Sequence, residues 1–204
     1  MRRAADGTPV NASSLTDEPF AVAVHSSDRV YAGRVWDVRA EVFDYNGVPI
    51  RREFVAHTGA VAVLALDEAG RVLLIQQYRH PIREREWELP AGLLDVPGEG
   101  LADAARRELA EEADLAASTL EPLLAMHTSP GGSDELVHIF LATGLRAIPL
   151  AHERDAEEAD IRIEWMPLAD AVAAVMAGRM RNGILVAGVL AAAQRMRTTA
   201  TATG

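Results

Sequence analysis

Arg107, Glu108, Glu111 and Glu112 fall within six residues of one predicted helix, AARRELAEEA. Residues three and four apart share a side of a helix, so the three glutamates present their carboxylates to one place. Like charges at that spacing repel unless a cation sits between them. At about 100° per residue, Leu101, Ala102, Ala105, Leu109 and Ala113 span an apolar arc of roughly 120°. Glu108 falls just outside one edge of this arc, and Glu112 falls inside it. A helix docked by the arc therefore carries two carboxylates into or beside its buried seam. Buried carboxylates require a partner, which is a metal ion, an arginine or several hydrogen-bond donors. Hard oxygen donors favour Mg²⁺ or Mn²⁺ over zinc, and the chain has no cysteine to argue otherwise. Most glutamates on alanine-, glutamate- and arginine-rich helices are solvated, so the surroundings of the cluster must decide.

Those surroundings read as strands, the acidic helix, more strands and two helices. Residues 22–55 alternate in strand fashion around Asn46-Gly47, a pair suited to a two-residue hairpin turn. Trp36 and Phe43 in this region suit core or cross-strand packing, or stacking on a flat ligand ring. AVAVLAL is a continuous apolar strand, followed by a turn at Asp67, Glu68, Ala69 and Gly70 and a second strand, RVLLIQQYRH. Arg79, at the end of that strand, is an ion-pair partner or a phosphate ligand. His80 reads as structural. Beyond the acidic helix, a loop with Ser129, Pro130 and Gly131 offers backbone donors unobstructed by side chains, between two strands. The acidic run 153–160 is either a solvated loop or the carrier of a catalytic base. LADAVAAVMAGRM and NGILVAGVLAAAQRMR read as helices, the second apolar enough to pack inside the fold or against a partner chain. The fold class is α+β, with a mixed sheet between helices.

The chain has 204 residues, 49% of them hydrophobic, enough for one sizeable core. Residues 1–20 read as a flexible lead, 21–197 as a single domain and 198–204 as a disordered tail. A formal charge of −10 argues against a nucleic-acid or membrane-surface binder. No apolar stretch suits a signal peptide or a bilayer span. The absence of cysteine is compatible with a cytoplasmic setting.

The segment 87–115, WELPAGLLDVPGEGLADAARRELAEEADL, resembles the Nudix box. Glu99 is followed after seven residues by Arg107-Glu108-Leu109, then Ala110, Glu111-Glu112, Ala113 and Leu115, in register with the family pattern. There are two departures. Six residues separate Gly92 from Glu99 where the pattern has five, and Asp114 replaces the helix-ending glycine. Aspartate tolerates the left-handed conformation better than most residues, so the helix stop survives at small cost. WELPAGLLD, QQYRH, SPGGSDE and EEADIRIEW together resemble the ADP-ribose pyrophosphatase branch, over about 55–195.

The resemblance implies an α/β/α sandwich whose N-terminal strands, 21–55, are exchanged in a homodimer. It implies a Mg²⁺-dependent hydrolase, with Mn²⁺ as a possible substitute, that cleaves ADP-ribose to AMP and ribose 5-phosphate. The alternatives are another nucleoside diphosphate sugar, or a sensor of such ligands without turnover. By the same resemblance Glu108, Glu111, Glu112 and the Ala91 carbonyl hold the metal, and Arg107 orients the carboxylates. Arg79, Leu93, Ser129, Pro130, Gly131 and Glu135 contact substrate. Trp36 stacks on the adenine, and Arg52 is a further contact. Glu157 is the catalytic base, with Glu158 one residue out of register as its rival.

Overall fold

A computed structural model describes residues 15–149 and 160–202. In chain order the elements are β1 (Val24–Ala32), β2 (Asp37–Tyr45), β3 (Val48–Ala56), β4 (Ala60–Ala65), β5 (Arg71–Arg79), β6 (Glu84–Glu88), β7 (Ala91–Leu93), α1 (Leu101–Ala113), β8 (Leu115–His127), β9 (Leu136–Ala147), β10 (Arg162–Pro167), α2 (Leu168–Met176) and α3 (Gly183–Ala202). Strands β1-β2-β3 form an antiparallel meander at the N-terminus. Asn46 and Gly47 close its second hairpin at φ of 53° and 78°, the left-handed pair whose twist matches the flanking strands.

The second sheet has the order β7-β4-β9-β8, with β4 parallel to β9 and the other pairs antiparallel. It is the expected mixed sheet. Alternation along β4 divides the core. Ala60, Ala62 and Leu64 join Ala171 and Ala174 of α2 and Leu185, Val189 and Ala192 of α3. Val61, Val63 and Ala65 join Ala104, Ala105, Leu109 and Ala113 of α1. A strand buried on both faces must be apolar throughout, which explains AVAVLA. Helices on both faces make the sandwich. The adjacent run RVLLIQQYR does not pair with β4; it centres a third sheet, β10-β5-β6.

Helix α1 buries Ala104, Ala105, Glu108, Leu109, Glu112 and Ala113. The buried arc is wider than the apolar one expected from sequence: it takes in Ala104 and both glutamates, while Leu101 at the helix start stays exposed. Asp114 ends the helix at φ 53°, ψ 37°, with its backbone N–H donating to the Ala110 and Leu109 carbonyls. The aspartate thus occupies the left-handed position normally given to glycine. Leu109→Ala should cost about 3 kcal/mol and lower the Tm by about 6–12 °C, measured by calorimetry, because Leu109 is fully buried under the sheet.

The C-terminal end corrects the sequence reading. Helix α3 runs through Ala202, into the stretch expected to be a disordered tail. The hydroxyls of Thr198 and Thr199 donate to the carbonyls of Gln194 and Arg195, one turn back, and so keep the threonines within the helical pattern. No helix among the described residues is long and apolar enough to cross a membrane.

Candidate active site

The carboxylate end of the candidate site is built where α1 crosses β7. Glu108 and Glu112 are 8% and 6% exposed, although both are carboxylates. The Ala91 backbone N–H donates to Glu112 Oε2 at 2.8 Å, which ties the helix to the strand. Gly92 leaves room for the Glu108 carboxylate against β7, since a Cβ there would lie 2.0 Å from it. Arg107 organises the outer side: its Nε and Nη2 donate to Glu99 at 3.0 and 2.9 Å, and its Nη1 donates to Glu108 and, at 3.2 Å, to Glu111. Hydrogen bonding to Glu99 holds the Arg107 guanidinium above its ordinary pKa. The same contact holds Glu99 below the usual carboxylate range. Burial pushes Glu108 up, against the opposing pull of Arg107.

These features fit a hard divalent cation. Two buried carboxylates one turn apart, beside the β7 backbone, supply oxygen donors where nothing apolar is gained by burying them. Among the described residues no three His, Asp or Glu side chains are gathered as a complete metal-ligand set. Glu111 stands beside Glu108, and the two carboxylates share the Arg107 Nη1 donor.

A second group surrounds an open cleft of about 540 Å³, lined by Phe43, Arg52, Phe54, His127, Pro130 and Gly131 among others. The loop is a tight turn in which the N–H groups of Gly132 and Ser133 both donate to the Ser129 carbonyl. It is stitched to β3 through Val55, whose N–H donates to the Gly132 carbonyl at 2.9 Å. Glu135 is held by the Thr128 hydroxyl on one oxygen and faces His57 Nε2 at 3.4 Å with the other. Trp36 stacks on the His57 ring, with centroids 5.5 Å apart. The reason for this gathering is the parallel register Ala60↔Val137, which places the chain entering β4 beside the chain entering β9. The His57 backbone N–H accordingly donates to Asp134 Oδ1 at 2.7 Å.

A NUDIX domain model matches residues 56–185, more than half of the chain. This chain belongs to the NUDIX family. An ADP-ribose pyrophosphatase of Mycobacterium tuberculosis is 46% identical over 169 residues, covering 81% of this chain and 80% of that protein. An ADP-ribose pyrophosphatase of Bacillus subtilis is 39% identical over 134 residues, covering 65% of this chain and 72% of that protein. A crystal structure described as an ADP compounds hydrolase superposes with a TM-score of 0.75 at 21% identity, covering 90% of this chain and 98% of that chain. At that identity the likeness speaks to the fold.

Within this Nudix fold the residues singled out from sequence fall into two groups. Ala91, Leu93, Arg107, Glu108, Glu111 and Glu112 lie on β7 and α1. Trp36, Arg52, Ser129, Pro130, Gly131 and Glu135 lie on the meander and the loop before β9. Gly59 links the two groups: its carbonyl accepts from Leu94 N–H at 3.1 Å, and its N–H donates to His57 Nδ1 at 3.0 Å. Arg79 makes a bidentate pair with Glu88 at 2.8 and 2.7 Å, the ion-pair alternative foreseen for it. Glu157 and Glu158 lie outside the described residues. Where the described chain resumes, Asp160 pairs with Arg85 of β6.

Sequence reading missed Glu88 and His57. Glu88 is buried, and it sits next to the apolar Leu89 in WELP, where an ionised side chain signals a partner. His57 carries no such signal, since its partners arrive from distant parts of the chain.

Proposed function

We propose that this Nudix protein is a divalent-metal-dependent pyrophosphohydrolase that cleaves ADP-ribose to AMP and ribose 5-phosphate. The observation that carries the chemistry is the pair of buried carboxylates, Glu108 and Glu112, set against the β7 backbone. The identity to ADP-ribose pyrophosphatases over most of the chain supports the substrate. Glu108, Glu111, Glu112 and the Ala91 carbonyl would hold the cation, with Mg²⁺ as the physiological ion and Mn²⁺ as a substitute. When bound, the cation supplies charge neutralisation and Lewis-acid polarisation at a diphosphate. An acidic protein can thereby handle an anionic substrate.

The chain's own groups supply the rest. Arg107 pairs with Glu99, Glu108 and Glu111 and fixes the helix face that presents the carboxylates. Arg52, on the cleft wall, meets a negatively charged ligand. The Ser129, Pro130 and Gly131 turn lets a polar ligand approach its backbone. Arg79, oriented by its bidentate pair with Glu88, is a phosphate contact. Leu93 borders the metal end, and Glu135 accepts a ribose hydroxyl. Trp36, half exposed, stacks on adenine. Glu157 takes the proton of the attacking water, and hydrolysis adds that water across one P–O bond of the diphosphate. The protein acts as a cytoplasmic homodimer whose 21–55 strands cross to the partner, covering apolar surface that the meander exposes at Val24, Val30, Tyr31 and Val48.

The test is incubation of the purified protein with ADP-ribose and Mg²⁺, with and without EDTA, and chromatography of the products. AMP and ribose 5-phosphate should form only with metal. Turnover of another nucleoside diphosphate sugar, with ADP-ribose untouched, moves the substrate. Binding with no turnover of any diphosphate overturns the enzyme in favour of a sensor.

A further inference from the structure

His57 is 6% exposed at its side chain, yet every edge of it is in use. Nδ1 accepts from the Gly59 backbone N–H at 3.0 Å. With that nitrogen occupied as an acceptor, a neutral ring carries its proton on Nε2, which faces Glu135 Oε1 at 3.4 Å. One ring face lies against the Trp36 indole at an interplanar angle of 28°. The residue's own N–H anchors it to Asp134. Three segments that are remote in sequence, entering β2, β4 and β9, therefore meet on one imidazole.

We propose that His57 is a positioning residue for substrate: it sets the Trp36 ring and the Glu135 carboxylate at one fixed separation. The proposal rests on the ADP-ribose reading for the ligand and for the substrate contacts of Trp36 and Glu135. Trp36 remains 46% exposed with the imidazole behind it, a platform offered to a flat ring. Glu135 is gripped on one oxygen by the Thr128 hydroxyl, and His57 Nε2 stands 3.4 Å from the other, so the imidazole borders the carboxylate before a ligand arrives. His57 bonds to Gly59 and Asp134 and faces Glu135, none of which belongs to α1. Loss of His57 should therefore weaken substrate binding and spare the chemical step.

The test uses the full-length protein and three variants. His57→Asn keeps an acceptor for Gly59 and removes the donor to Glu135. His57→Gln restores a donor at the reach of Nε2, and His57→Ala removes both. In the wild type, the ¹⁵N spectrum of the imidazole should show Nδ1 unprotonated and Nε2 protonated. With 5-fluorotryptophan incorporated, the ¹⁹F signal assigned to Trp36 by Trp36→Phe should move in all three variants. For ADP-ribose, His57→Asn and His57→Ala should raise KM by about tenfold with kcat within about threefold, and His57→Gln should recover part of the loss.

A protonated Nδ1, an unmoved Trp36 signal, or KM and kcat falling into line with a lowered Tm in every variant would each overturn the proposal. A wild type inert toward ADP-ribose sinks the substrate reading alone. The two spectra then still decide whether His57 sets Trp36 and Glu135.

Discussion

Glu112→Gln should lower kcat for ADP-ribose by on the order of 10³-fold while leaving the Tm unchanged or higher. The two effects have opposite signs because the carboxylate serves function at the expense of the helix. Glu112 is buried one turn from the buried Glu108, so the metal-free protein places two like charges in a poorly solvated seam. Glutamine has nearly the same shape, and its carbonyl oxygen can still accept from the Ala91 N–H. The substitution therefore removes a charge, relieves repulsion and leaves the packing alone. What it cannot replace is an anionic oxygen donor for a hard cation. Steady-state kinetics, differential scanning calorimetry and Mn²⁺ titration on the same preparations would separate these effects. A loss of less than tenfold, or unchanged Mn²⁺ affinity, would remove Glu112 from the metal site.

How much of this was legible in advance depends on the range of each interaction. The α1 cluster could be read because residues 107–112 are neighbours on one helix, and helical spacing alone brings them together. Asp114 and the Asn46-Gly47 turn were equally local, each a question of which residue accepts a left-handed backbone. The separation of β4 from β5 was not legible. Two apolar strands joined by a short turn look like a hairpin, yet β4 pairs with β7 and β9 while β5 pairs with β6 and β10. His57 and its meeting with Glu135 were hidden because both are products of long-range pairing. They meet through the parallel register of β4 and β9, which leaves no periodic trace in the sequence. Arg79 was read both ways, as ion-pair partner and as phosphate ligand, since Glu88, which settles its pairing, stands on the next strand. The end of α3 was misread because threonines usually weaken a helix, whereas here their hydroxyls close onto the preceding turn.

Two glycines flanking the box turn should respond in opposite ways to the same substitution. Gly92 has no unusual backbone requirement; what it lacks is space. A Cβ there would stand 2.0 Å from Glu108 Cδ and Oε1 and 2.4 Å from Oε2, closer than any real contact. Gly92→Ala must therefore push the Glu108 carboxylate away from β7 or lift α1 off the strand. Either shift breaks the carboxylate pair, and kcat/KM for ADP-ribose should fall by on the order of 10²-fold or more. The stability cost should be about 1–3 kcal/mol, the usual range for overpacking. Gly98 is the converse. It sits at φ 80° with nothing within 4 Å of a Cβ, so the problem there is conformational and the space is open. Gly98→Ala should cost about 1–2 kcal/mol through its left-handed backbone and leave kcat/KM within about threefold. A second substitution separates space from chemistry at Gly92. Adding Glu108→Asp withdraws the carboxylate from the new methyl, so the double variant should regain Tm without regaining activity. If Gly92→Ala alone keeps activity within threefold, the close approach of β7 to Glu108 is unimportant to catalysis, and the metal end of the site must be sought elsewhere on α1.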